Sequence, residues 1–581
     1  MDKQWFIADS DPSRARELAR DLRVSPITAS LLINRGLDSI SDASRFLSPN
    51  LKHLTVPGQD EVLVEAAQFL YSAVKDGKSV TIFGDYDADG ICATALLVRC
   101  LRLLDGDVDY YIPERSGEGY GLNQDAVQEV AGDDTDVLVT VDCGVTAFEE
   151  VSLARELGME VIVTDHHEPL ERCPDAAFVL NPKLPDATFG SEALAGAGVA
   201  FKLAWAVGQQ AGDGDSVPEF YRDFLLKALS LVAVGTVADI VPLLGENRVL
   251  VSYGLRSLPH CDMCGLDALR EACGGVDGDV TTFDVGYKLA PRLNASGRVA
   301  HASSGVQLLT TEDDSRAEEL AQQLDEQNKR RRNLQQVVAE EALEVVEEEM
   351  DPSQKNCIVV GREGWHQGVV GLAASRLAEQ FWRPAFVLSL EDGVATGSGR
   401  SVPGVHLFQL LNRCEDLLDR YGGHEGAGGV TLDCENIETF ERRLNEAAEE
   451  MLDGEAPVPH LELEAEVELS SLNTDFIREL NSLSPFGEGN PEPLFVASGL
   501  ELAGNPKLVG SSRNHLSFLV RQDGVTCRAI AFNGADWLEE LDERRAETFS
   551  LAFEPRIDNY DPYNAVELRV EDLKWDADRP D

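Results

Sequence analysis

Acidic and imidazole side chains follow four apolar runs of the sequence, which we predict to be strands. These runs read VTIFGDYDADG (80–90), VLVTVDCG (137–144), VIVTDHH (161–167) and LVAVGTVADIV (231–241). The carboxyl ends of the strands in a doubly wound sheet face one crevice, so the polar groups that follow the runs are expected to converge there. The expected group comprises Asp85, Asp87, Asp89, Asp142, His166, His167 and Asp239.

So many carboxylates in one crevice would repel one another strongly without cations. A mixture of oxygen and imidazole ligands suits Mn²⁺ or Mg²⁺, and we expect two such divalent ions. The run DYDADG also resembles the opening of an EF-hand calcium loop. That loop needs a Glu at its twelfth position, where this chain has Leu96, and a β run stands in place of the preceding helix, so we disfavour it.

Two divalent metals about 4 Å apart lower the pKa of water and neutralise charge on a scissile phosphate. The sequence therefore predicts phosphodiester hydrolysis by in-line attack, with no covalent enzyme intermediate. Cys143 lies within the second run, but this chemistry needs no cysteine nucleophile, and we expect it to be packed.

The elements that must position these groups alternate along the chain. Strand-like runs at 79–83, 137–141 and 160–164 are interleaved with helical patterns at 92–104 and 148–157. This alternation predicts an α/β fold with a doubly wound parallel sheet.

The rest of the chain predicts four further parts. Residues 312–350 contain no Gly or Pro and predict one long, mostly exposed helix. A second, smaller α/β block follows, and after 457 short alternating strands separated by turn residues favour an OB-like β-barrel. We predict an N-terminal helical cap (1–59), the doubly wound domain (60–311), the connecting helix (312–350), the second α/β domain (351–455) and the barrel (456–575).

The composition excludes several classes of protein. Hydrophobic residues make up 43% of the 581 residues, which excludes global disorder. Against 103 Asp and Glu stand 50 Lys and Arg, for a net charge of -53. A diffuse basic coat for nucleic acid is excluded, so local clusters or metal must hold any polyanion. The acids are spread along the whole chain, which indicates either a surface adapted to a salty cytosol or simply a very soluble protein.

Several absences favour a cytoplasmic protein that does not use ATP. No run reaches the roughly 18 apolar residues of a membrane span, and the phosphate-binding pattern G-x-x-x-x-G-K-[ST] does not occur. The eleven cysteines show no repeated spacing, which suits a reducing compartment. Cys261 and Cys264 form one CxxC beside His260, but without a second pair an ordinary loop is favoured over a zinc site.

The motifs resemble those of the DHH phosphoesterase superfamily, and within it the RecJ type of single-stranded-DNA 5′ exonuclease. The defining triplet is Asp165-His166-His167. Further motifs in matching order cover nearly the whole chain: DYDADG (85–90), EGYG (118–121), VDCG (141–144), LAGAGVAFK (194–202), VADIVPL (237–243), APRLNASGR (290–298), WHQGVVGLAASRL (365–377), GSGRSVPG (397–404), GGHEGAGG (422–429) and SPFGEGNPEPLF (484–495). By this resemblance 60–311 is the DHH domain and 351–455 the DHH-associated domain.

The resemblance implies a role for each acid and imidazole. The implied metal ligands are Asp87, Asp89, Asp142, His166 and Asp239. Asp142 would bridge the two metals, His167 would contact the scissile phosphate, and Asp85 would support the ligands or add another. Many superfamily members carry a His where this chain has Phe83, so the first metal loses an imidazole here.

The resemblance also implies that the second α/β domain helps to hold a 5′-phosphate. The implied anchors are Arg115, Arg292, Ser398 and Arg400, since guanidinium binds phosphate bidentately. His424 is a further candidate donor, or a structural residue of its turn.

Other residues are candidates for contact with the strand. The basic run 329–332 either follows the DNA backbone or pairs with neighbouring Glu. In the barrel, the residue types that clamp and stack single strands are Arg513, Arg556, Phe518, Phe553 and Tyr560, although a single aromatic is more often part of the core.

The expected function is a metal-dependent 5′-to-3′ exonuclease that degrades single-stranded DNA to mononucleotides in recombination and repair, with a helicase and a single-strand-binding protein as candidate partners. One alternative is a DHH phosphodiesterase for short oligonucleotides or cyclic dinucleotides, which would not need the barrel. Another is a catalytically silent DNA-binding replication scaffold, which would have lost acids that this chain retains.

Overall fold

The computed structural model of the protein describes residues 3–9, 11–115, 119, 121–212, 214, 216–276, 278–452, 457–558 and 566–578. The chain divides into two compact units. The first comprises Met1–Leu54, Pro242–Ser252 and Pro459–Asp581, and the second comprises Thr55–Val241 and Tyr253–Val458. No helix in the described ranges is long and apolar enough to cross a membrane.

The first unit begins with one strand and three helices. Their bounds are β1 (Gln4–Ile7), α1 (Pro12–Leu22), α2 (Pro26–Asn34) and α3 (Ile40–Leu47). Each helix starts at a capping side chain, because Asp11, Ser25 and Ser39 accept hydrogen bonds from N–H groups of the first turn. Leu31 and Leu32 are buried in the same hydrophobic core as the C-terminal barrel. The segment predicted as an N-terminal cap therefore contributes to the core of the first unit.

The second unit contains a five-stranded parallel sheet in the order β3-β2-β4-β5-β6. Its strands are β2 (Val80–Gly84), β3 (Val108–Tyr111), β4 (Val137–Val141), β5 (Glu160–Thr164) and β6 (Phe178–Leu180). All residues of β2 and β4 are buried, as expected for strands covered on both faces. The strand order reverses between β2 and β4, and at such a point a ligand crevice opens at the carboxyl ends. The predicted doubly wound sheet is confirmed.

Six helices belong to this part of the chain: α4 (Glu61–Lys75), α5 (Ala88–Arg102), α6 (Gln124–Gly132), α7 (Phe148–Glu156), α8 (Gly196–Gln210) and α9 (Glu219–Ala238).

The fourth apolar run, 231–241, is not a strand as predicted but the end of α9. Every residue from 228 to 236 is buried, so the segment is apolar on all sides. Periodicity does not separate a run of this kind from a buried strand. The 20-residue length of α9 would favour a helix over a strand. The apolar run 231–241 contains only the last turns of α9, so the run by itself does not reveal that length.

A helical region leads to the predicted long helix. Its helices are α10 (Gly245–Ser257), α11 (Cys264–Ala272), α12 (Thr282–Asp284), α13 (Ala290–Val299), α14 (Ser303–Thr310) and α15 (Asp314–Glu349). Asp313 is the N-cap of α15, and the 36 residues of α15 confirm the predicted long helix. One stripe of its last turns is nevertheless buried, through Val338, Ala342 and Val346, in the core of the second α/β domain.

This second domain has a mixed five-stranded sheet in the order β10-β11-β9-β8-β7. Its elements are β7 (Ile358–Glu363), α16 (Gln367–Phe381), β8 (Ala385–Glu391), β9 (Val394–Arg400), α17 (Leu407–Asn412), β10 (Arg420–Gly423), β11 (Ala427–Asp433) and α18 (Ile437–Met451). Only β7 and β8 are parallel among the described strand pairs of this sheet.

The C-terminal part forms a closed barrel in the order β14-β15-β16-β18-β17, since β17 also pairs with β14. Its elements are β12 (His460–Leu463), β13 (Ala465–Glu466), α19 (Thr474–Asn481), β14 (Phe495–Val509), β15 (His515–Gln522), β16 (Val525–Ala531), α20 (Trp537–Glu543), β17 (Phe549–Arg556) and β18 (Glu567–Trp575). Five strands closed in this way confirm the predicted OB-like barrel. Strand β1 pairs in parallel with β12, a contact that the sequence did not predict.

Candidate metal centre

Two acids at the junction of β2 and α5 are held by backbone N–H donors. Asp87 caps α5 and accepts hydrogen bonds from the N–H groups of Asp89 (2.8 Å) and Gly90 (3.0 Å). Asp89 accepts from Gly196 (2.6 Å) and Ala197 (3.0 Å), the first residues of α8. Helix N-termini carry partial positive charge, which favours carboxylates at both places.

Asp142 and His166 follow the neighbouring strands β4 and β5. The Nε2 atom of His166 lies 3.0 Å from Oδ1 of Asp142 and 3.5 Å from Oδ2 of Asp239. Asp239 reaches this point as the C-terminal cap of α9. Two strands and one helix therefore bring these three side chains together.

The seven predicted residues all belong to three overlapping groups of ligand atoms. In each group the ligand atoms lie within 4.8 Å of one another: Asp85, Asp87 and Asp142; Asp89, His166 and Asp239; Asp142, His166 and His167. Asp142 belongs to two of the groups. Elsewhere in the described ranges no such group occurs, so Cys261 and Cys264 are not part of one.

Several buried atoms of this centre have no hydrogen-bond partner within the described part of the chain. They are Oδ1 of Asp85, Nε2 of His166 and Oδ2 of Asp239; His166 is close to Asp142 and Asp239 but makes no hydrogen bond to either with these atoms. Buried polar atoms nearly always find a partner, so these atoms call for an explanation. Carboxylate oxygens beside a neutral imidazole nitrogen are ligands that Mn²⁺ accepts. The donor set therefore fits divalent cations.

Burial and mutual repulsion shift the pKa values of this centre. Burial, and then the charge of Asp87, raises the pKa of Asp89 to about 7. Burial, and then the charge of Asp89, raises the pKa of Asp239 to about 9. Burial first and neighbouring carboxylates second also raise the pKa values of Asp85 and Asp142 well above the ordinary range. Burial, and then the charge of His167, lowers the pKa of His166 to about 3, so its ring is neutral.

Asp165 orients His167, a role for which we had made no prediction although it begins the DHH triplet. It is buried and accepts hydrogen bonds from Nδ1 of His167 (2.8 Å) and the N–H of Val145 (2.9 Å). Burial opposes the charged form of His167, but the hydrogen bond and charge of Asp165 raise its pKa. Asp165 thus fixes the half-exposed His167 ring and favours its protonated form.

Two glycines let helices approach the carboxylates closely. A Cβ at Gly196 would lie 2.8 Å from Oδ1 of Asp142, and a Cβ at Gly235 would lie 2.3 Å from Oδ1 of Asp89. Because N–H groups of α8 hold the carboxylate of Asp89, it cannot move away from a Cβ at Gly235. Neither glycine was predicted as a site residue, since the need for it arises only when α8 and α9 pack beside the sheet.

Phe83 fills the position where many superfamily members carry a histidine. It is fully buried, and its ring stacks on Tyr111 with 5.4 Å between centroids. With no imidazole at this position, the ligand atoms grouped with Asp85 are the carboxylate oxygens of Asp87 and Asp142.

A cluster of arginines lies beside the metal centre. The guanidinium of Arg115 lies 5.1 Å from the ring centroid of Tyr86, next to Asp85. Burial, and then the charges of Arg115, Arg331 and Arg400, lowers the pKa of Arg298 to about 10. We name these four residues, Arg115, Arg298, Arg331 and Arg400, the arginine cluster. Guanidinium groups gathered in this way favour the binding of an anion.

Ser398 and Arg400 lie on one side of β9 and face α16. A Cβ at Gly371 of α16 would lie 3.1 Å from Nη2 of Arg400 and 3.3 Å from Cβ of Ser398. The glycine therefore leaves room for both predicted anchors.

Arg292 is not directed into this cluster. Its Nε and Nη2 donate to Oδ1 of Asp325 on α15 at 2.9 and 2.7 Å. Six residues advance about 600° around a helix, so Arg292 and Arg298 occupy different faces of α13. Of these two residues, Arg298 lies in the arginine cluster and Arg292 pairs with Asp325.

The remaining predicted contacts are dispersed. His424 is exposed in the turn between β10 and β11, and its Nδ1 accepts from the N–H of Gly426. Arg556 donates to Glu492 and Glu554, and Arg513 is exposed in the loop between β14 and β15. Phe518 and Phe553 belong to the barrel core, and Tyr560 lies outside the described residues.

Comparison with known proteins agrees with this architecture. Family models match the N-terminal domain of the DHH family at residues 79–236, the DHHA1 domain at 354–450 and the RecJ OB domain at 463–572. The single-stranded-DNA-specific exonuclease RecJ of Bacillus subtilis is 36% identical over 98% of this chain and 70% of its own length. The Thermus thermophilus protein of the same name is 38% identical over 92% of this chain and 74% of its own length.

A solved structure is similar over the whole chain. The structure of RecJ from Thermus thermophilus in complex with Mn²⁺ covers 100% of this chain and 80% of its own, with a TM-score of 0.81 and 32% identity. With the DHH, DHHA1 and OB domains in the same order and relatives this similar, the chain belongs to the RecJ exonuclease family.

Proposed function

We propose that this protein is a metal-dependent exonuclease that hydrolyses single-stranded DNA from its 5′ end and releases mononucleotides. The observation that carries this proposal is the convergence of carboxylates and a neutral imidazole around Asp142, with the arginine cluster beside them. Phosphodiester hydrolysis needs cations for the scissile phosphate and an anion site to hold the strand. The family membership supports the same activity.

The residues that would hold two divalent ions, Mn²⁺ or Mg²⁺, belong to two of the three groups of ligand atoms. Asp85, Asp87 and Asp142 would hold one ion, and Asp89, His166 and Asp239 the other; Oδ1 of Asp142 lies 3.0 Å from Nε2 of His166 and so is near both groups. When bound, such ions make water a nucleophile at neutral pH and neutralise charge on the phosphate.

The chain's own residues perform the remaining steps. Asp87 and Asp89 stay in place because backbone N–H groups hold them. Asp165 favours the protonated form of His167, which would donate to a non-bridging oxygen of the scissile phosphate. No side chain needs to form a covalent bond with the substrate.

The arginine cluster would hold the 5′-terminal phosphate, together with Ser398. Burial first, and then the charges of the other three guanidinium groups, lowers the pKa of Arg298, and an anion would relieve that repulsion. A terminal phosphate carries more charge than a phosphodiester, so this site favours a strand end.

We propose that the barrel (456–575) holds the strand through its exposed loop at Arg513, while Arg556 must exchange its acidic partners to do so. A helicase and a single-strand-binding protein would supply and clear the strand during recombination and repair. All eleven cysteines are free, which favours the reducing cytoplasm.

Digestion of one oligonucleotide labelled at its 3′ end tests the proposal. With Mn²⁺ present, we expect progressive shortening of the single strand only, and none of the duplex or of a strand blocked at its 5′ end. Cleavage confined to dinucleotides would favour the small-substrate phosphodiesterase. Binding without cleavage would favour the silent scaffold.

Metal binding should release protons, and the release gives a pH test of the centre. The metal-free carboxyls have pKa values raised to about 7 (Asp89) and about 9 (Asp239), so at pH 7.5 Asp239 is mostly protonated. Metal ligands must be deprotonated, so we expect about one proton or more to leave on binding Mn²⁺ at this pH. His166, already neutral, contributes none.

The sign of the stability change follows from the same shifts. Because these carboxyls hold protons in the folded state that the unfolded state has lost, stability of the metal-free protein falls as pH rises from about 4 to 9. The rise in Tm caused by Mn²⁺ should therefore grow over this range. Calorimetry in buffers of different ionisation enthalpy measures the protons, and a Tm shift independent of pH would contradict the assignment.

A further inference from the structure

A basic pocket lies between α15 and α16, outside the metal centre. It has a volume of about 470 Å³ and is lined by Lys329, Arg332, Asn333, Gln335, Gln336 and Arg376. No acidic side chain is among these described lining residues, although the chain carries a net charge of -53. A pocket of this chemistry favours an anion that also accepts hydrogen bonds from amides.

The helical spacing of the sequence creates the pocket. Residues 329, 332, 333 and 336 occupy one face of α15, because positions three, four and seven residues apart lie above one another. Arg376 faces them from α16. The predicted basic run is thus divided: Lys329 pairs with Asp325 at 2.7 Å, whereas Arg332 and Arg376 have no acidic partner within the described ranges.

The pocket adjoins the arginine cluster. Arg331, a member of that cluster, is the neighbour of Arg332 on α15, and side chains of consecutive helical residues point about 100° apart. Helix α16 contributes to both places, since Gly371 packs against Arg400 and Arg376 lines the pocket. The cluster and the pocket therefore form two neighbouring cationic sites.

We propose that this pocket is an accessory phosphate-binding site, which takes a backbone phosphate of the DNA strand or the phosphate of a free mononucleotide. This inference rests on the proposed function, which supplies both kinds of phosphate. Arg332 and Arg376 would bind the phosphate oxygens, and Asn333 would donate from its amide.

Binding of a 5′-phosphorylated oligothymidylate, measured by anisotropy in EDTA so that no cleavage occurs, tests the site. The variant is Arg332→Gln/Arg376→Gln, and the charge-matched control is Arg413→Gln/Arg442→Gln, two exposed arginines of the same unit. Glutamine keeps a helix propensity close to that of arginine, so both proteins should fold.

If the site takes the strand, the variant should bind about fivefold to tenfold more weakly than the control, with a salt slope shallower by about 1.4 for two lost contacts. If it takes a mononucleotide, titration with thymidine monophosphate should show one equivalent fewer for the variant. Equal behaviour of variant and control in both titrations overturns the accessory site. The proposed function is judged separately, since it fails only if the wild-type protein does not digest the strand with Mn²⁺.

Discussion

Replacing Asp142 by asparagine should lower kcat on single-stranded DNA by about a thousandfold or more, a rise of about 4 kcal/mol in the activation free energy. The carboxylate belongs to the group that would hold one ion and lies 3.0 Å from Nε2 of His166, which belongs to the group for the other, so we expect its loss to weaken both ion sites. An amide of the same shape keeps one neutral oxygen but no charge. Initial rates at saturating Mn²⁺ measure the effect.

The same substitution should stabilise the metal-free protein. Burial first, and then Asp89 and the other carboxylates, raises the pKa of Asp142 well above its ordinary range. Such a group lowers the folding stability at every pH above its unfolded pKa, because the unfolded chain ionises more readily. Asparagine removes this penalty, so Tm in EDTA should rise by a few degrees. In Mn²⁺ the order should reverse, since the wild-type protein binds the ion more tightly.

A matched control distinguishes the loss of a metal ligand from the loss of one negative charge. Asp186 is exposed in the same unit, so Asp186→Asn should leave both kcat and the two Tm values unchanged. If Asp142→Asn retains activity within about tenfold, Asp142 is not the shared ligand that we propose.

The sequence indicated which acidic and imidazole side chains lie together because strand ends are easy to recognise. Residues that directly follow β2, β4 and β5 must lie at one edge of a parallel sheet, whatever the loops do. Asp239 lies beside the other acids because it caps the buried helix α9, and not because it follows a strand; a buried helix and a buried strand share the same apolar composition.

The residues that the sequence did not predict depend on how helices pack. Arg298 belongs to the arginine cluster, whereas Arg292 pairs with Asp325, because the two residues lie at different angles around α13. The sequence alone does not give the orientation of that helix. Gly235 is required only because α9 lies against Asp89. Contacts between elements far apart in the chain leave no local pattern.

Replacing Arg400 by glutamine should remove the preference for a 5′-phosphate. We expect kcat/KM on 5′-phosphorylated strands to fall by about a hundredfold, since a hydrogen bond between charged groups contributes about 1.5–3 kcal/mol. Strands that end in a 5′-hydroxyl never make this contact, so they should lose no more than about fivefold. The ratio of the two kcat/KM values is therefore the quantity to measure.

This ratio distinguishes a phosphate contact from a structural role of Arg400. The side chain donates to the carbonyl of Gly399 at 2.8 Å and packs near Gly371, so a damaged fold would slow both kinds of strand equally. Arg420→Gln, at an exposed position of β10 in the same sheet, is the control for the lost charge. Because Arg400 is half-buried and repelled by Arg115, its burial is unfavourable without an anion. An equal loss on both strand ends would assign the 5′-phosphate to other members of the arginine cluster.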